Sequence, residues 1–187
     1  MVIAIAIVVA LILLGALAFI GVRNSLISAR NRCDEAWSGV EVQLKRRHDL
    51  VPNLVETVKG YASHERKVFE MTAKARAAAM AAHGVGQAAQ TEQQLTGAIA
   101  ELRAVAENYP QLRASENFQQ LSGNLAGIED QIQIARRLYN SHTQDYNTKI
   151  QVFPNSLVAR RGGFQPGRYF EIEDEADRET VEVNFGS

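Results

Sequence analysis

Three side chains stand where a helical pattern calls for apolar ones: Arg47, Glu65 and His142. Alternating steps of four and three residues from Cys33 land on Trp37, Val40, Leu44, Arg47, Val51, Leu54, Val58, Tyr61, Glu65, Val68 and Thr72. This is a heptad seam with two charged interruptions. A charge on such a seam costs stability unless a partner satisfies it. Two arrangements would meet that demand. The groups can sit at bundle ends or pair across helices, fixing register. Alternatively they line a polar pocket between helices, with Arg46, His48, Asp49, Asn53 and His64 nearby. The polar set to follow is therefore Arg47, Asp49, His64, Glu65 and His142.

Other chemistries lack their residues. The four histidines are His48, His64, His83 and His142. A zincin helix needs a second His four residues after the first, and after His64-Glu65 that position is Val68. A di-iron bundle needs a carboxylate three residues before a His on two helices. Those positions hold Lys45, Tyr61, Met80 and Tyr139, so no metal site is expected. Cys33 sits on the apolar seam one turn before Trp37, as a small buried hydrophobe does. No G-x-S-x-G and no phosphate-binding glycine loop occurs, and Gly84-Val85-Gly86 reads as a helix stop. No catalytic residue and no cofactor is expected. Lys45-Arg46-Arg47 has no interleaved aromatics, which argues against nucleic acid. A net charge of −1 over 187 residues gives no global pull toward polyanions.

The elements that must position these side chains begin with an apolar run. From Val2 to Val22 every residue is apolar or Gly, and the first charged side chain is Arg23. At about 1.5 Å per residue the run reaches roughly 30 Å, the thickness of a hydrocarbon core. It reads as an uncleaved transmembrane helix. A signal peptide would carry a basic n-region and a shorter apolar run, although Ala16-Leu17-Ala18 resembles a cleavage site. Arg23, Arg30, Arg32, Lys45, Arg46 and Arg47 all follow the span. The positive-inside rule then places the N-terminus outside and the remainder in the cytoplasm of a cell, or inner, membrane. A single cysteine suits a reducing compartment. From Val22 a straight helix carries Lys45 about 35 Å away, too far for lipid contact.

Helical periodicity continues to residue 153. Pro52 interrupts the first seam without changing its phase, so either one helix continues through it or a second starts there. The alanine-rich stretch 73–82 extends that helix to a stop near His83-Gly84. Thr91 with Gln94 fits a capping box opening a shorter helix through Leu95, Ile99, Leu102, Val105 and Tyr109. Asn108 before Pro110 is the next start signal. Phe118, Leu125, Ile132, Tyr139, Tyr146 and Phe153 then fall at intervals of seven, with Leu121, Ile128, Ala135 and His142 between them. This predicts about 40 residues of helix ending at Pro154. Residues 165–187 hold seven acids and two arginines, with short strands possible at 169–172 and 181–185.

The segment AWSGVEVQLKRRHDLVPNLVETVKGYASHE, 36–65, resembles the LemA family. The resemblance resumes in YNSHTQDYNTKIQVFPNSLVAR, 139–160, and in GFQPGRYFE, 163–171. The anchor followed by Arg23-Asn24 and Asn31 shares the family's layout. The resemblance implies a single-pass bacterial membrane protein with a long cytoplasmic helical domain, and brings no catalytic residue, substrate or cofactor.

The fold expected is all-α. An N-terminal transmembrane helix (1–22) precedes a long antiparallel bundle of three to four helices (23–160). An acidic, partly extended tail (161–187) follows. The function expected is that of a membrane-anchored, non-enzymatic scaffold or oligomerising protein of the bacterial cell membrane, a homo-oligomer for which a membrane protein is a candidate partner. The alternative is a ligand-binding or enzymatic module built on Arg47, Glu65 and His142.

Overall fold

The computed structural model describes residues 1–171. Regular structure among them is entirely helical: α1 (Val2–Lys59), α2 (Arg66–Met80), α3 (Gly84–Glu107), α4 (Pro110–Arg113), α5 (Glu116–Gln151) and α6 (Asn155–Gly162). They divide into two compact units. The first comprises Met1–Leu44 and Ile128–Tyr169, and the second Lys45–Gly127 with Phe170 and Glu171.

In the first unit α1 and α5 run antiparallel. Trp37 meets Tyr139 edge-on with ring centroids 5.3 Å apart. Thr143 lies beside Cys33, Arg30 is close enough to act on the Tyr146 phenol, and Lys149 Nζ reaches Ser25 Oγ at 3.5 Å. As the α1 number falls by three to five, the α5 number climbs by three or four, one helical turn for one turn. The seam read from the sequence is the buried one here: Cys33, Val40 and Leu44 on α1, with Leu26 one heptad before them, and Ile132, Tyr139 and Tyr146 on α5. Trp37 is half-buried. The seven-residue pattern outruns its helix at one point. α5 ends at Gln151, so Phe153 lies beyond the seam and is 79% exposed.

After α6, Gly163 takes the left-handed conformation at φ 68° and ends the helix, while the Phe164 N–H reaches back to Ala159 O at 3.0 Å. The chain then lies along α5. Tyr146 Oη donates to Gln165 O at 2.9 Å and Tyr139 Oη to Arg168 O at 2.7 Å. The Asn147 amide brackets Gly167, accepting from its N–H at 2.8 Å and donating to its carbonyl at 3.0 Å. A Cβ at Gly167 would meet Thr143 Cγ2 at 3.2 Å, so glycine permits this close approach. Residues 169–171 form no strand, and the strand read at 181–185 lies outside the described residues. α6 itself crosses the 160/161 boundary drawn from composition.

In the second unit α2 and α3 form an antiparallel pair joined by residues 81–83. Two apolar clusters fill it. One contains Leu54, Val58, Leu102, Leu112 and Leu125, and the other Val51, Ala75, Ala79, Leu95 and Ile99. Both draw on the α1 seam, which continues through Pro52. The helix breaks instead after Lys59, where Tyr61 N–H bonds to Val58 O at 3.0 Å and Glu65 N–H to Ala62 O at 3.1 Å. α3 opens at Gly84 rather than at Thr91. Thr91 is no cap: its hydroxyl donates back to Gln87 O at 2.9 Å inside the helix.

Pro52 survives inside α1 for an identifiable reason. Proline has no N–H for the carbonyl four residues earlier, which is that of His48. Arg76 on α2 supplies the missing donor, its Nε lying 2.7 Å from His48 O. Arg76→Met should therefore cost about 1–3 kcal/mol, the penalty of an unsatisfied buried acceptor. Pro52→Ala restores the backbone donor, so the same Arg76→Met change should cost clearly less in that background. Chemical denaturation of the four detergent-solubilised proteins checks this, and equal costs in both backgrounds would refute it.

Candidate functional site

The polar side chains that come together are Arg47, His48, Glu92 and Thr96. α1 presents the first two and α3 the others, one turn apart. Arg47 Nη2 donates to Glu92 Oε2, and Arg47 Nη1 to Thr96 Oγ1 at 3.1 Å. His48 Nε2 lies 2.6 Å from Glu92 Oε1. Thr96 Oγ1 closes the cluster by donating to Glu92 O at 2.9 Å. Arg47 and Glu92 are each only 2% exposed, and His48 is also buried.

Glu92 reports the electrostatics of the cluster. Burial alone would push its carboxyl pKa up. The hydrogen bond from His48 and the charge and hydrogen bonding of Arg47 outweigh burial and hold it below the ordinary carboxylate value. The carboxylate is thus ionised and enclosed, with a guanidinium on one oxygen and an imidazole on the other. This is the chemistry of an internal ion pair rather than of a proton donor.

The expected polar set is distributed otherwise. Arg47 is at the cluster, but its carboxylate is Glu92, not Glu65. Asp49 and His64 are exposed. Glu65 is half-buried and precedes the first residue of α2. Eleven residues, about 16 Å of helix, separate it from Arg76, the α2 residue that reaches His48. His142 is half-buried on the α5 portion of the first unit. Cys33 is buried beside Thr143, and its Sγ donates to Ala29 O at 3.4 Å. Burial raises its thiol pKa despite the opposing pull of Thr143, which describes an unreactive structural thiol.

Glu92 is the residue that sequence reasoning missed, although a signal existed. Ala88, Glu92, Leu95, Ile99, Leu102 and Ala106 follow steps of four and three, and all are buried. Placing the helix start at Thr91 left Glu92 in the first turn, where an acid needs no explanation. With the start at Gly84, Glu92 becomes a seam charge that requires a partner.

A family model described as the LemA family matches residues 36–185. The magnetosome protein MamQ 2 of Paramagnetospirillum magneticum is 25% identical over 180 residues, covering 82% of this chain and 66% of that protein. The magnetosome protein MamQ of Magnetospirillum gryphiswaldense is 23% identical over the same length, with the same coverage. Protein LemA of Metamycoplasma hominis is 26% identical over 145 residues, covering 76% of this chain and 66% of that protein. The chain thus spans just under two thirds of the length of these relatives.

Removing one member of a buried pair leaves the other charge stranded. Arg47→Met should cost about 3–5 kcal/mol, and Arg47→Met with Glu92→Met should recover much of that loss. The pH sign follows from the lowered carboxyl. Glu92 contributes stability above its unfolded pKa, about 4.3, and that contribution disappears as the pH falls through the folded value. Denaturation curves from neutral to acid pH should show a steeper acid loss for the native protein than for the double variant.

Proposed function

The chain belongs to the LemA family, and from that premise we propose that it is a membrane-anchored, non-enzymatic scaffold that assembles with copies of itself. The observation that carries this reading is α1. One 58-residue helix holds the apolar run and continues into the helical domain without a linker. Among the described residues it is the one helix long and apolar enough to cross a membrane.

The polar chemistry supports the same reading. Arg47 is committed to Glu92, and His48 is the carboxylate's second partner. A ligand-binding module built on Arg47, Glu65 and His142 would instead hold its arginine for an incoming anion. Exposed Arg23, Arg30 and Arg32 follow the span, which supports an N-out, C-in orientation at the cell membrane. Ile134 and Leu138 lie one turn apart on α5 and are both about half exposed, an apolar stripe of the kind that another subunit covers. A membrane protein partner is a further occupant that suits a scaffold.

Topology and assembly can be measured together on the full-length protein. A fluorescent-protein fusion at the C-terminus should glow in the cytoplasm, and an alkaline-phosphatase fusion there should be inactive. Phosphatase activity would overturn the orientation. Light scattering in detergent should give a mass above that of one chain, falling to one chain in Ile134→Glu/Leu138→Glu. A monomeric native protein would overturn the assembly.

A further inference from the structure

The first unit contains a groove between the end of the apolar span and α6. Gly15, Ala18, Phe19 and Val22 form one wall, Pro154, Leu157 and Val158 the other, and Arg160 and Arg161 the rim. Its volume is about 610 Å³, within the roughly 300–1,000 Å³ of clefts that hold small ligands. A Cβ at Gly15 would meet nothing within 4 Å, so this position faces open space.

Three observations bear on what this groove could hold. First, the α1 wall belongs to the apolar run that reads as lying in lipid. Gly15 to Val22 spans about 10 Å along the helix, comparable to the roughly 5–10 Å to which interfacial helices sink. With residues 2–22 in lipid, α6 would lie at the depth of the headgroup and upper acyl region. Second, α6 is two-sided. Val158 and Ala159 are buried, while Leu157 is 58% exposed and the preceding Phe153 79%. Large apolar side chains exposed beside a membrane-spanning segment face lipid rather than water. Third, Arg160 and Arg161 are exposed and form no ion pair among the described residues. A guanidinium pair above an apolar cleft complements a phosphate attached to an acyl chain.

We propose that α6 is an interfacial helix and that this groove binds an anionic phospholipid, its acyl chain between Gly15 and Leu157 and its phosphate on Arg160 and Arg161. The site rests on the membrane-spanning reading of residues 2–22. The basic pair near the bilayer is thus not Lys45-Arg46, on the span's own helix, but two arginines almost 140 positions beyond the end of the span.

The test uses the full-length protein reconstituted in nanodiscs of mixed phosphatidylcholine and phosphatidylglycerol. Native mass spectrometry then reads which lipids stay bound. The native protein should retain phosphatidylglycerol in preference to phosphatidylcholine. Arg160→Gln/Arg161→Gln should lower that preference about thirtyfold, from roughly fivefold for each arginine near an anionic surface. Arg160→Lys/Arg161→Lys should keep most of it. Gly15→Leu should abolish retention while leaving both arginines in place, because it fills the groove. Added inorganic phosphate should not displace the lipid. No preference in the native protein, or full retention in either the double Gln variant or Gly15→Leu, would overturn the proposal. Flotation of each protein with vesicles separates the two readings. A native protein that fails to float removes both, and one that floats without lipid preference removes the groove site alone.

Discussion

A carboxylate cannot be buried alone, and Glu92 imposes that constraint on the second unit. Its two oxygens require donors, and α1 provides both from adjacent positions, Arg47 and His48. Neighbours in sequence diverge by about 100° around a helix, so only a carboxylate seated between those two directions can receive both. This fixes the rotation of α1 and the register of α3 against it. Pro52 adds a second demand one turn further on, which Arg76 on α2 meets at the His48 carbonyl. Three helices are thereby tied at one level by bonds that cannot slide by a residue without stranding a buried charge.

Apolar packing follows from that register. Val51 on α1 shares a cluster with Ala75 and Ala79 of α2 and with Leu95 and Ile99 of α3. The alanines allow α2 to approach closely, which is how a weakly hydrophobic helix still buries a face. Replacing the ion pair by apolar side chains could leave such a core stable, so the retained charges speak to alignment more than to net stability.

In the first unit the two C-terminal segments that carry the family resemblance meet each other. Tyr139, Tyr146 and Asn147 come from one, and Gln165, Gly167 and Arg168 from the other. Each contact joins a side chain of α5 to a backbone group of residues 165–168, which suits a segment without helix or strand bonds of its own. The two stretches support each other structurally. Arg47 and His48 in QLKRRHDLVPNLV likewise bind groups within the fold, Glu92 and, for Arg47, also Thr96.

The division between sequence and tertiary structure follows the range of the interactions. Seam positions at Leu44, Leu54, Val58, Leu125, Ile132 and Tyr139 were readable and are buried, because a 3.6-residue period is local and one helix expresses it alone. The apolar run 2–22 was readable because its composition and length are also local properties. Helix ends were less legible. Gly84 reads equally as the stop of one helix or the start of the next, and the break after Lys59 leaves the apolar phase almost unchanged, so the pattern passed over it. Phe153 kept the seven-residue rhythm while the helix beneath it had already ended. What only the tertiary structure decided is pairing. Arg47 and Glu92 are 45 residues apart, and Gly15 and Arg160 lie at opposite ends of the described chain. No local period encodes which charge meets which, because that choice is made by the energy of burying both together.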